Sequence, residues 1–195
     1  EFEESFQHLQ KALTISKESF GDQSPEVANI YGNLGTHYMS IGNYEESEKY
    51  HLKKKKIVQN ILGENNQAFV DALQGLATTY TKSGEYRKSI KTLEIAYEIS
   101  ERLYGGNHLN QAELSGLISN NYKSISEYDK SLEYVEKYKN ILRDFFEKVG
   151  NFRNFQKYLV GVFIFFGLGN FEIFDFFKKN LEKKYGFFFQ DFFLF

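Results

Sequence analysis

Hydrophobic positions along the first three quarters of the chain recur in steps of three and four. Val27, Ile30, Tyr31, Leu34 and Tyr38 fall on one side of a helix predicted over about 25–40. A second amphipathic helix is predicted over about 44–62 and stops at Gly63, a residue that tolerates the left-handed turn closing a helix. The pair then returns, with helices predicted over about 67–82 and 85–104, and again over about 109–124 and 127–146. Residues 2–20 match a second helix alone, because Phe2-Glu3-Glu4-Ser5 aligns with Tyr44-Glu45-Glu46-Ser47.

The recurrence has a fixed step of 42 residues. Gly42-Asn43-Tyr44-Glu45-Glu46-Ser47 comes back as Gly84-Glu85-Tyr86-Arg87-Lys88-Ser89 and as Ser126-Glu127-Tyr128-Asp129-Lys130-Ser131. Tyr38, Tyr80 and Tyr122 keep the same spacing, as do Leu34, Leu76 and Ile118. A period of this length marks an α-solenoid, in which each helical hairpin stacks on its neighbours. The fold class expected is therefore all-α. Small residues recur where helices must approach closely: Gly35, Ala77 and Ser119 on first helices, and Ser5, Ser47, Ser89 and Ser131 on second helices, with Ala12 and Ala96 further along. Tyr44, Tyr86 and Tyr128 open the second helices and are expected to pack into the hairpin corner with the phenol tip toward water.

Composition agrees with helices and narrows the chemistry. One proline in 195 residues leaves few forced breaks, and Pro25 stands where it does least harm, after a Ser24 suited to capping. The formal charge of −2 speaks against nucleic acid or an acidic membrane as partner. Zero cysteines excludes a disulfide framework and thiolate chemistry, and fits a soluble intracellular protein. His8, His37, His51 and His108 show no zinc-ligand spacing; His51 shares its phase with Leu9, Leu93 and Val135 and reads as a packed residue. No phosphate loop is present, and the carboxylates follow exposed phases, so neither metal, cofactor nor catalytic residue is expected. Lys53–Lys56 reads as a solvated helix segment, with contact to an acidic partner as the alternative.

The last quarter departs from this pattern. Seventeen of the 21 phenylalanines fall in residues 145–195. Gly169-Asn170-Phe171-Glu172 still echoes Gly42-Asn43-Tyr44-Glu45, which suggests a degenerate fourth unit over about 151–186. Three readings stay open: a surface buried against another protein, a divergent terminal repeat, or phenylalanine standing where the native residues differ. The apolar run over 158–171 is too short for a membrane span.

Asn33-Leu34-Gly35, Tyr38, Gly42-Asn43-Tyr44 and Ser47, with Phe20-Gly21-Asp22-Gln23-Ser24-Pro25-Glu26-Val27-Ala28, resemble the tetratricopeptide repeat, most of all the 42-residue kind found in kinesin light chains. The resemblance covers residues 2–146 and implies one array, with a half repeat at 2–20 and repeats at about 25–62, 67–104 and 109–146. It also implies a concave groove lined by the first helices. Carried over, its outward positions fall on Asn29, Asn33, Thr36 and Ser40, then Asp71, Gln74, Thr78 and Lys82, then Glu113, Asn120 and Ser124. Amide side chains there could clamp an extended peptide. Gly32, Gly75 and Gly116 on the same face suit close approach of a ligand backbone. The function expected is a non-enzymatic scaffold holding a protein or peptide segment in the groove, within a larger complex. The alternative is an architectural subunit of a cytoskeletal or ciliary assembly, bound through repeat edges and convex helices. Uncapped ends imply a longer parent protein or a covering partner.

Overall fold

Start and stop signals divide the chain into helices of nearly constant length. The computed structural model describes residues 2–149 apart from Asn107, with side chains to residue 145. The fourth unit expected over 151–186 lies outside the described residues. Seven helices are described: α1 (Phe2–Phe20), α2 (Pro25–Ser40), α3 (Tyr44–Leu62), α4 (Gln67–Lys82), α5 (Tyr86–Tyr104), α6 (Leu109–Ser124) and α7 (Tyr128–Val149). Short polar side chains start α2, α3 and α4. Ser24 accepts from the Val27 amide at 3.3 Å, Asn43 from Glu46 at 3.2 Å and Asn66 from Phe69 at 3.0 Å. Before α6, His108 caps instead, and Gln111 Oε1 accepts the His108 amide at 2.9 Å.

The helices form two layers. Each first helix packs on the second helix of its own unit and on that of the preceding unit: α2 lies against α1 and α3, α4 against α3 and α5, and α6 against α5 and α7. No strand occurs among the described residues, and the array is the all-α solenoid expected. Buried Leu34, Leu93, Ile99, Leu114 and Ile118 form its spine, each adding about 2 kcal/mol by leaving water. The small residues let the layers close: Ser47, Ser89 and Ala96 are wholly buried, and Ala77 and Ser119 nearly so.

Hydroxyl groups tie the seams. Ser47 and Thr79 share a hydrogen bond of 2.8 Å between α3 and α4. Thr81 Oγ1 lies 2.8 Å from Ser89 Oγ and 2.9 Å from Asn121 Oδ1, joining α4, α5 and α6. Tyrosines reach further. Tyr80 donates to Glu48 at 2.7 Å and Tyr122 to Glu94 at 3.0 Å, each linking a first helix to the preceding unit. Burial, aided by the Glu94 contact, pushes the Tyr122 phenol up to about 12.

Three expectations need correction. Tyr128 is 60% exposed, so that phenol does not fill its hairpin corner as Tyr44 and Tyr86, both half-buried, can. Ser5 is exposed, because no first helix among the described residues covers that face of α1. The helix ending the third unit also runs on to Val149, beyond the expected 146.

His51 sits in the seam of α2, α3 and α4, and only 3% of it is exposed. Neither ring nitrogen has a hydrogen-bond partner among the described residues. Burial, with the Lys54 charge behind it, lowers its pKa to about 4.

Ser126 and His51 each have a measurable consequence for stability. Ser126 takes a positive φ of 61° where the earlier units place Gly42 and Gly84. A Cβ there costs about 1 kcal/mol, so Ser126→Gly should raise the denaturation midpoint by a matching amount in urea titrations. For His51, the unfolded chain binds a proton near its ordinary value while the folded chain does not. Stability should therefore fall as pH drops from about 6.5 to about 4, by up to about 3 kcal/mol, and hold steady above that window. His51→Leu should flatten this part of the pH profile in urea titrations.

Candidate functional site

Helices α2, α4 and α6 carry every residue expected on the groove. Asn29, Asp71 and Glu113 are equivalent in the repeat, as are Thr36, Thr78 and Asn120, and Ser40, Lys82 and Ser124. Asn33 and Gln74 stand at adjacent phases. Asn29, Asn33, Thr36 and Ser40 of α2 are exposed, as are Asp71 and Lys82 of α4 and Glu113 and Ser124 of α6. Gln74, Thr78 and Asn120 are half-buried. Hydrogen bonds join α4 laterally to α6, with Tyr104 of α5 beside them. Gln74 donates to Glu113 at 2.5 Å, and Gln67 Oε1 accepts from Asn110 at 2.6 Å and from Tyr104 at 2.9 Å.

The side chains on this face are not equally free. Thr36, Thr78 and Ser124 donate back to the carbonyls of Gly32, Gln74 and Asn120 in their own helices, and Ser40 donates to that of His37. Asp71 accepts from Gln67 at 2.6 Å. Asn29, Asn33 and Lys82, by contrast, have no side-chain hydrogen bond or ion pair among the described residues. Unspent donors and acceptors thus gather on α2 and the C-terminal end of α4. Water satisfies them in the free protein, and a ligand backbone could replace that water.

The glycines of this face have a different role from the one expected. A β-carbon on Gly32 would lie 3.0 Å from Lys54 Cδ and 3.2 Å from Lys54 Nζ. One on Gly75 would lie 2.7 Å from His51 Cε1 and Nδ1, and one on Gly35 would lie 2.6 Å from His51 Nε2. Gly32 and Gly75 are therefore spaces already filled by side chains from α3, and Gly116 is buried. Reading the sequence missed this arrangement. The signal was there: Lys54 occupies the phase of Ala12 and Ala96, and the large residue is matched by a missing Cβ on the facing helix.

The lysine run does not act as one patch. The Lys53 ammonium lies 4.6 Å from the Tyr50 ring centre and 5.3 Å from that of Tyr31, and Lys55 lies 5.7 Å from the Phe69 ring centre. Lys54 turns toward α2, and Lys56 stays exposed. A straight helix sends four consecutive residues in four directions about 100° apart, so their charges are dispersed. No group of His, Asp and Glu among the described residues is arranged to hold a metal ion, and no described helix is long and apolar enough to cross a membrane.

Comparison with known proteins joins this geometry to a family. A tetratricopeptide repeat model matches residues 1–53, 26–94 and 69–144. No curated protein matches the sequence. Among solved structures, BtubC (BKLC) from P. vanneervenii is similar with a TM-score of 0.63 and 22% identity, covering 68% of this chain and 53% of its own. This chain thus spans about half the length of that relative. Kinesin-light-chain-like repeats of Podosopora anserina, described as nearly identical TPR-like repeats, give a TM-score of 0.63 at 14% identity, with 84% of this chain and 86% of the other covered. The TPR domain of Arabidopsis FLU gives 0.51 at 18% identity, over 57% of this chain and 90% of its own. At these identities the likeness shows fold alone, and that fold is the kinesin-light-chain-like form of the repeat. The chain belongs to the tetratricopeptide repeat family, whose arrays are protein-interaction scaffolds.

Proposed function

We propose that this array binds an extended peptide segment of a protein partner along the face made by α2, α4 and α6. The observation that carries the reading is the set of exposed, unpaired polar groups at Asn29, Asn33 and Lys82. A packing role needs none of them, and two asparagine amides can each offer a donor and an acceptor to a peptide backbone. Asp71, Gln74 and Glu113 lie beside them in a row pre-ordered by hydrogen bonds, which reduces the entropy lost on binding. Thr36, Thr78, Asn120, Ser40 and Ser124 complete the polar lining. The architectural alternative draws less support, since Lys53, Lys54 and Lys55 are engaged within the fold rather than offered together to an acidic surface.

The test is selection of peptide ligands from a displayed library, followed by titration of the selected peptide against Asn33→Ala, Lys82→Glu and Asp71→Lys. Each of these residues is exposed, so the far-ultraviolet circular dichroism should not change. Loss of one charged or backbone-directed hydrogen bond should weaken binding at least about tenfold. Undiminished binding by all three variants, with loss instead on charge reversal at Lys56, would favour the architectural reading.

A further inference from the structure

We propose that the open side of α1 is a docking site for one amphipathic helix of a partner protein, seated in the place that a first helix takes in the other hairpins. The repeat supplies three internal standards, because α3, α5 and α7 stand at the phase of α1. Ile57, Ile99 and Ile141 are at most 3% exposed, whereas Ile15 at the same phase is 51% exposed. Ser47, Ser89 and Ser131 are buried, whereas Ser5 is exposed. Leu9 and Ala12 are half-buried, whereas Leu93 and Ala96, their counterparts on α5, are enclosed. Ser5, Leu9, Ala12 and Ile15 follow one another in steps of three and four, which sets them along one side of α1. Another side is already taken: Phe6 stacks on His37 at 5.5 Å and meets the Tyr38 ring at 5.6 Å, both on α2.

What covers this face in the later units is the first helix of the same hairpin. Ser89 Oγ donates to the Ala77 carbonyl at 2.8 Å, and Ser131 Oγ lies 2.9 Å from Ser119 Oγ. Ser5 has no such bond among the described residues. The contact needs a small residue at that point, and Gly35, Ala77 and Ser119 supply it, each preceded by a buried Leu34, Leu76 or Ile118. A helix with the same pair, a large apolar residue followed by a small one, continues the interfaces that join α2 to α3, α4 to α5 and α6 to α7. An extended peptide does not, because its side chains alternate and cannot keep helical spacing.

The first helices of this array cannot supply the occupant. Each of α2, α4 and α6 already lies between two second helices. A second copy of the array has its own first helices engaged in the same way, so it could offer one only by opening a hairpin. A separate amphipathic helix carries no such cost, which assigns the face to a different protein. None of the groove residues lies on α1, so the two surfaces are independent.

Fluorescence anisotropy on the full chain tests the site with three labelled, end-capped peptides. They are the α4 sequence Gln67–Lys82, the same peptide with Ala77→Trp, and a scrambled control. The α4 peptide should bind saturably and gain helical circular dichroism on binding. The other two should bind at least about tenfold more weakly, since tryptophan overfills the contact with Ser5. Ile15→Glu in the protein should also weaken the α4 peptide at least about tenfold, because docking would bury the carboxylate. Ile15 is exposed, so this variant keeps its fold, which circular dichroism checks. Ile95→Glu is the control and should change nothing, because Ile95 is exposed to the same degree on α5, away from this face. No binding by the α4 peptide, equal binding by the scrambled peptide, or equal loss in Ile95→Glu overturns the proposal. So does self-association of the chain in sedimentation that Ile15→Glu abolishes, which would assign the face to a second copy.

Discussion

Every hairpin in this array has an apolar edge that its own two helices cannot cover, and only the next hairpin can cover it. That unmet edge is the constraint from which the rest follows. The second helix of one unit must fit between two first helices, so its facing positions are small or closely matched in shape: Ser47, Ser89 and Ala96 are buried without residual surface. Because contacts run only between neighbours, stability is a sum of seams rather than the property of one centre. Seams can then differ from one another without disturbing the array.

The described seams show this freedom. Between α5 and its two first helices the filling is apolar, with Leu93 and Ala96, and the polar link of Thr81, Ser89 and Asn121 lies to one side. Around α3 the filling is His51 and Lys54, accommodated by glycines on α2 and α4. An unpartnered buried imidazole is a cost that the apolar seam does not carry. A stack of equivalent units can tolerate such a site at one step because the adjoining steps remain conventionally packed. In this way a repeat architecture separates the residues that hold it together from those that distinguish one position on its surface from another.

Charge follows the same division. The exposed ion pairs, such as Lys49 with Glu45 and Glu46, join residues one turn apart on the same helix and add little stability. The buried hydroxyl bonds between helices fix the register of the layers, since a shift of one residue would leave Thr81 and Asn121 without their partners. Groove residues fall between these classes: Gln74 and Glu113 brace each other across α4 and α6, while Asn29 and Asn33 remain free on α2.

Much of the fold was legible in the residues because its signals are local. Helical periodicity, caps at Ser24, Asn43 and Asn66, and glycines at a spacing of 42 specify hairpins without reference to distant contacts. The outward positions Asn29, Asn33 and Lys82 followed from the resemblance to the tetratricopeptide repeat, and all three are exposed. What it could not specify was which outward side chains are already spent, because the Gln74–Glu113 bond joins residues on different helices. Nor could it show that Gly32 and Gly75 make room for Lys54 and His51, since a glycine in a sequence records a missing side chain but not what fills the space. Those matters are decided by atoms from separate helices, far apart along the sequence, and only stacking the hairpins brings them within contact.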